Sequence, residues 1–201
     1  MSVVIHEVAH GYAAYAQGDI TAAVSGRLTL NPVKHVDPVG SILVPGILLL
    51  MGAPFLIGWA KPVPFNPYNL RDQKWGHMWV ALAGPASNIL LAVVFALGLR
   101  FVPMLNENAV GLIGFVVLIN LVLALFNLVP IPPLDGSKVL FALLPVRMRH
   151  VERTMERFGL LFAIFFIFLL WEPFTYIVLG TFVILVGPGA NMVLVLTSSL
   201  L

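Results

Sequence analysis

The stretch Ile5-His6-Glu7-Val8-Ala9-His10-Gly11 decides how this chain is read. On an α-helix, residues four apart stack on one face. The imidazoles of His6 and His10 can therefore close on one Zn²⁺ while Glu7 reaches a water beside it, the HExxH pattern that zinc peptidases use. The segment around it is strongly apolar. A polar triplet there costs several kcal/mol unless it is paired or bound. Two satisfied core histidines beside a helix-face glutamate are the weaker alternative.

Composition sets the surroundings. The 201 residues are 60% hydrophobic and 10% charged, with a mean hydropathy of +0.99. A soluble domain carries about 25% charged residues, so the chain reads as an all-α polytopic membrane protein forming one domain over residues 1–201. Each span needs about 20 residues, which suits roughly five or six helical segments. The net charge is +2. Its basic residues cluster in loops, which points to orientation in a bilayer rather than to nucleic acid. Cysteine is absent, so disulfides are excluded and any zinc must be held by His, Asp or Glu. No basic leader or small-residue cleavage site precedes the motif. Only five residues stand before His6, and two readings of the start stay open: a true beginning, or one that lacks upstream helix.

Along the chain, a first helix is expected over about Ser2–Ala16. Gly26-Arg27-Leu28-Thr29-Leu30-Asn31-Pro32 alternates as a short strand ending in a turn. The apolar run Val39–Trp59 is broken by Pro45, Gly46, Gly52 and Pro54. Residues 59–69 are too rich in proline for a helix and read as an extended segment. Long helices follow over about Gln73–Phe101 and Ala109–Leu128, the second stopped by Val129-Pro130-Ile131-Pro132-Pro133. Residues 138–157 are basic, amphipathic and interfacial. Phe158–Val186 is one kinked span or two short ones, two being the reading preferred here, with Glu172-Pro173 as the turn between them.

Charge bears on topology. If 39–59 enters the bilayer and returns, ten of the eleven Lys and Arg residues share one face and only Arg100 lies opposite. A full crossing would instead leave three on one side and eight on the other. The positive-inside rule favours the re-entrant hairpin, with 17–75 and the chain after Pro130 on the cytoplasmic side. Such a broken segment is tolerated where it lines protein or a water cavity.

A catalytic zinc keeps three protein ligands and one open position. The third candidate is Asp135 in Leu134-Asp135-Gly136, after the proline-rich break. On spacing alone it reads equally as a ligand and as the N-cap of the next helix. His35 and Asp37 read as turn residues or as groups supporting the site from behind its ligands, in preference to zinc ligation; His77 reads as an interfacial neighbour of Trp75 and Trp79, and His150 as solvated. The Phe-rich stretch 158–168 reads as lipid-facing or core packing.

Taken together, HEVAHG, Ala83-Gly84-Pro85-Ala86-Ser87-Asn88 and Asn127-Leu128-Val129-Pro130-Ile131-Pro132-Pro133-Leu134-Asp135-Gly136 resemble the site-2 protease family of intramembrane zinc metalloproteases. The similarity is to its compact prokaryotic branch without a PDZ domain. Asn31-Pro32-Val33-Lys34-His35-Val36-Asp37-Pro38-Val39-Gly40 and Gly58-Trp59-Ala60-Lys61-Pro62-Val63-Pro64 are also typical of that branch. The resemblance implies His6, His10 and Asp135 as ligands of one Zn²⁺, and Glu7 as the general base that activates a metal-held water. It implies Asn127 at substrate backbone or the developing oxyanion, and Asn88 in packing or substrate handling. The expected partners are a transmembrane protein or peptide substrate and the lipid bilayer. Family members usually carry more helix before HExxH. The extended segments 26–32 and 59–67 could hold an unwound substrate by strand addition. A metal-ion transporter and an inactive binding homologue are the alternatives. A transporter would call for a further ligand cluster on facing spans, and the intact HExxH and LDG argue against loss of activity.

Overall fold

The apolar helices of this chain are long because a backbone without water must satisfy its own N–H and C=O groups. The computed structural model describes residues 1–52, 58–72, 75–102 and 106–198. Among them the regular structure is helical and no strand is present. Helix α1 runs Ser2–Ala16 and α2 Thr21–Val24. A 3-10 turn, Pro32–His35, and a six-residue π-helical segment, Pro38–Leu43, lead into α3, Val44–Leu50. A second 3-10 turn covers Pro67–Asn69. Then come α4 (Trp75–Phe101), α5 (Glu107–Asn127), α6 (Asp135–Leu143), a 3-10 turn at Val146–Met148, α7 (Arg149–Arg157), α8 (Gly159–Val186) and α9 (Ala190–Ser198).

Among the described residues, three helices are long and apolar enough to cross a membrane: Trp75–Phe101, Glu107–Asn127 and Leu161–Val186. The shortest, α5, has 21 residues and so spans about 32 Å, enough for a hydrocarbon core of about 30 Å. The chain is a membrane protein of helical class.

The chain divides into two compact units, Met1 with Val3–Val80, and Ser2 with Ala81–Leu201. In the first, Ala14, Leu70 and Val80 form a small core flanked by Ala13 and Phe65. Gly11, directly after the HExxH motif, sits where a Cβ would lie 2.6 Å from Leu28 Cδ2 and 2.9 Å from Val63 Cγ1. A side chain there would have to push these two aside, so α1 packs closely on both loops. In the second unit, Ala92 and Ala96 of α4, Val117 and Leu121 of α5, Phe166, Phe174, Val178 and Phe182 of α8 and Val193 of α9 form the core. Phe126 meets Phe166 and Phe174 edge-on at centroid distances of 5.8 and 6.1 Å, a favoured aromatic geometry.

Several expectations change. Residues 26–31 form turns and bends, not a strand. Thr29 and Asn31 bond locally: His35 Nε2 donates to Thr29 O at 2.9 Å, and Asn31 Oδ1 accepts from Val33 N at 3.1 Å. Phe158–Val186 is not two short spans, because α8 is continuous over 28 residues with Pro173 inside it. Proline removes one N–H and crowds one turn, but breaking the helix would strand more backbone groups in an apolar setting. Glu172 accordingly lies on the exposed surface of a helix rather than in a turn. Asp37 does act as a turn residue, with Oδ1 accepting from Val39 N and Gly40 N. The Phe-rich stretch serves both purposes, with Phe168 exposed and Phe166 buried. The stretch 138–157 divides into the end of α6, a turn and α7, joined by a Lys138–Glu156 ion pair of 2.6 Å. Residues 53–57, at the tip of the expected re-entrant segment, and Gln73 and Lys74, at the expected start of α4, lie outside the described residues.

Candidate metal centre

The histidine pair is built by helix periodicity. His6 and His10 occupy successive turns of α1, and their Nε2 atoms lie 3.0 Å apart with the rings nearly perpendicular at 88°. Two nitrogens of a tetrahedral zinc site, each about 2.05 Å from the ion, are about 3.3 Å apart. The observed separation therefore suits two donors converging on one small cation. His6 is buried and His10 half-buried.

A second contact sets the chemistry of His10. Its Nδ1 lies 2.7 Å from the carbonyl oxygen of Val80. A carbonyl can only accept, so Nδ1 carries the proton and Nε2 keeps its lone pair toward His6. A backbone carbonyl behind a metal-ligating imidazole is the usual means of fixing tautomer and ring orientation. Val80 is buried in α4, so the acceptor is rigidly held.

Glu7, half-buried between the two histidines in sequence, accepts a hydrogen bond from the Val63 N–H to Oε2 at 2.9 Å. Val63 belongs to the proline-rich segment, which is irregular but tightly bonded. Trp59 N donates to Gly40 O (3.1 Å), Lys61 N to His35 O (2.9 Å), and Ser41 Oγ to Trp59 O (2.8 Å). Arg27, only 8% exposed, donates to the carbonyls of Lys34, Lys61 (2.9 Å) and Pro62 (3.1 Å). These backbone groups already have partners, so they do not form an open edge for strand addition.

Asp135 is the first residue of α6, half-buried, one position past the N-cap Leu134. Gly136 explains how the aspartate is set. A Cβ there would lie 2.2 Å from Leu128 O and 2.6 Å from Val129 O, so α6 starts hard against the end of α5 only because residue 136 has no side chain. Asn127, the last residue of α5, donates from Nδ2 to Leu123 O at 2.9 Å.

Asn88 is fully buried. Its Nδ2 donates to Asn120 Oδ1 (2.8 Å) and to Ser2 O (3.3 Å), while Asn120 Nδ2 donates to Ser2 Oγ (2.9 Å) and Val116 O (2.8 Å). This is a buried polar network inside apolar helices. Asn120 was missed at the sequence level, although a lone asparagine in Ile119-Asn120-Leu121 is the kind of polar residue that apolar helices hold for a reason. Arg27 likewise reads in the sequence only as one letter of an alternating stretch and one of the basic charges.

Asp19 lies just past α1 and belongs to no sequence motif. It is fully buried, and its carboxylate accepts from Thr21 N (3.2 Å), Thr21 Oγ1 (2.5 Å), Asn66 N (2.7 Å) and Asn69 Nδ2 (2.9 Å). Desolvation pushes its pKa up, but these hydrogen bonds together outweigh that and hold the carboxyl below the ordinary 3.8.

Comparison with known proteins places the chain in a family. The model of peptidase family M50 matches residues 102–170. The chain is 40% identical over 176 residues to "Putative zinc metalloprotease YwhC" of Bacillus subtilis, covering 83% of this chain and 77% of that protein. It is 32% identical over 169 residues to "Putative zinc metalloprotease Rip2" of Mycolicibacterium smegmatis, covering 82% of this chain but 62% of that protein. No solved structure matches. With a histidine pair fit for zinc and a relative matched over most of both chains, this protein belongs to peptidase family M50, the site-2 protease family of zinc metalloproteases.

Proposed function

We propose that the protein is an intramembrane endopeptidase that hydrolyses peptide bonds in the membrane-spanning segments of other proteins. In this reading residues 1–201 act as one catalytic domain, with His6, His10 and Asp135 as zinc ligands and Glu7 as the general base. The observation that carries it is the convergence of His6 and His10 Nε2 at 3.0 Å with His10 Nδ1 committed to Val80 O. Asp135 is supported by the LDG motif and by the glycine that fixes the start of α6.

Bound zinc would supply Lewis acidity to a water and to the scissile carbonyl. The remaining chemistry belongs to side chains. Glu7, oriented by the Val63 N–H, takes the proton from the attacking water and delivers it to the leaving amine nitrogen as the C–N bond breaks. Asn127 is assigned to the substrate carbonyl oxygen, where a neutral N–H donor steadies developing negative charge. Asn88 is assigned to packing, because its amide is occupied by Asn120 and Ser2.

The active site is assigned to the cytoplasmic side, on the strength of ten of eleven basic residues sharing a face if 39–59 is re-entrant. Helix α3, at seven residues after a six-residue π-helical segment, supports this, being shorter than the roughly 20 residues a crossing needs. Metal analysis and cleavage of a transmembrane peptide by Asp135→Asn beside wild type test the ligand set. The variant is expected to lose both zinc and cleavage, and one that keeps both would remove Asp135 from the site.

A further inference from the structure

We propose that Arg27 is a positioning residue for Glu7, acting through the backbone of Lys61, Pro62 and Val63. The connection is short and continuous. Arg27 donates from one nitrogen to the carbonyls of Lys61 at 2.9 Å and Pro62 at 3.1 Å. The next N–H along the chain is that of Val63, and it donates to Glu7 Oε2 at 2.9 Å. Between them lies no side chain that could swing, because Pro62 fixes its own φ and its carbonyl is held. The other terminal guanidinium nitrogen donates to Lys34 O, and Lys61 N donates to His35 O at 2.9 Å. The segment presenting Val63 is thus clamped from both sides.

Burial strengthens the argument. Arg27 is 8% exposed, and a buried guanidinium is costly unless its donors are used. A planar fork spreads its donors over separate nitrogens and so reaches carbonyls of two loops at once, whereas an ammonium concentrates its three donors on one atom. Those carbonyls come from two loops on either side of residues 35–60, so the arginine gathers the loops into one frame. Val63 also packs against the position of Gly11, so a shift of this segment would move both the glutamate's donor and the packing surface of α1. What reaches the reaction is the direction in which the Glu7 carboxylate points.

This inference rests on Glu7 being the base, and its test separates the two claims. Wild type, Arg27→Ala and Arg27→Lys are reconstituted with zinc and assayed on a transmembrane peptide, with rates normalised to zinc-loaded enzyme. The expected result is a kcat roughly 10- to 100-fold lower in Arg27→Ala, with KM within about twofold of wild type. Arg27→Lys should be intermediate, and millimolar methylguanidinium should restore part of the alanine variant's rate. In a Glu7→Asp background, where the carboxylate no longer reaches Val63, Arg27→Ala should cause little further loss. If Arg27→Ala does not fold, Arg27→Lys decides on the same kcat criterion. An unchanged kcat, or a loss that methylguanidinium does not relieve and that adds fully to Glu7→Asp, would overturn the positioning role. An active Glu7→Gln enzyme would overturn the base assignment instead.

Discussion

His10 Nδ1 lies 2.7 Å from the carbonyl oxygen of Val80, 70 residues away in the chain. Through this contact a candidate metal ligand on α1 takes its tautomer from the backbone of another helix. The consequence is measurable. In ¹⁵N-histidine spectra, His10 Nδ1 should show a protonated, pyrrole-type shift and Nε2 a pyridine-type shift, with only Nε2 moving on addition of Zn²⁺. A His10 resonance with the proton on Nε2 before zinc is added would contradict the assignment.

Gly136 should tolerate no side chain. A Cβ would meet Leu128 O at 2.2 Å and Val129 O at 2.6 Å, both backbone atoms that cannot rotate away. Gly136→Ala is expected to cost about 1–3 kcal/mol by overpacking and to displace Asp135. Thermal unfolding and zinc content measured together check this, both falling if the reading holds.

Asn120 should matter for stability more than its place in an apolar helix suggests. It accepts from Asn88 and donates to Ser2 Oγ and Val116 O. Asn120→Ala is expected to destabilise by about 1–2 kcal/mol, within the range seen for interhelical polar contacts and orphaned buried groups. The unfolding midpoint in detergent or nanodiscs should fall, with faster proteolysis of the folded protein.

Asp19 sets a pH dependence. Its pKa is lower in the folded protein than the ordinary 3.8, so the folded state binds fewer protons at this group than the unfolded state does near that pH. Its stabilisation is present above 3.8 and is lost as pH falls through the folded pKa. Asp19→Asn should lower stability at neutral pH and flatten the acid decline of unfolding free energy below about pH 4. Denaturation series from pH 2 to 7, in steps of about one unit, would show whether the two curves converge at the acid end.

Much of the candidate site was legible in the sequence because its residues obey local rules. His6 and His10 follow helix spacing, the boundaries of α1 match the expected Ser2–Ala16, and the motif order identified the family. What was not legible depended on contacts distant in the chain. Residues 26–32 alternate like a strand, yet strand pairing needs a partner edge, and Arg27 instead takes carbonyls from Lys34, Lys61 and Pro62. Glu172-Pro173 looks like a break, but local propensity yields to the cost of unpaired backbone in an apolar setting, and α8 continues. Asn120 is one polar letter among apolar ones; its meaning needs Asn88 and Ser2, which are 32 and 118 residues away.

The central claim is that His6 and His10 hold zinc while Glu7 moves the proton. The most direct measurement is zinc stoichiometry and cleavage of a transmembrane peptide, wild type beside Glu7→Gln, in the same membrane preparation. The account predicts equal zinc in both proteins and cleavage by wild type alone, with a loss in the variant of at least about 100-fold. Wild-type protein without zinc, or a Glu7→Gln variant that cleaves at the wild-type rate, would contradict it.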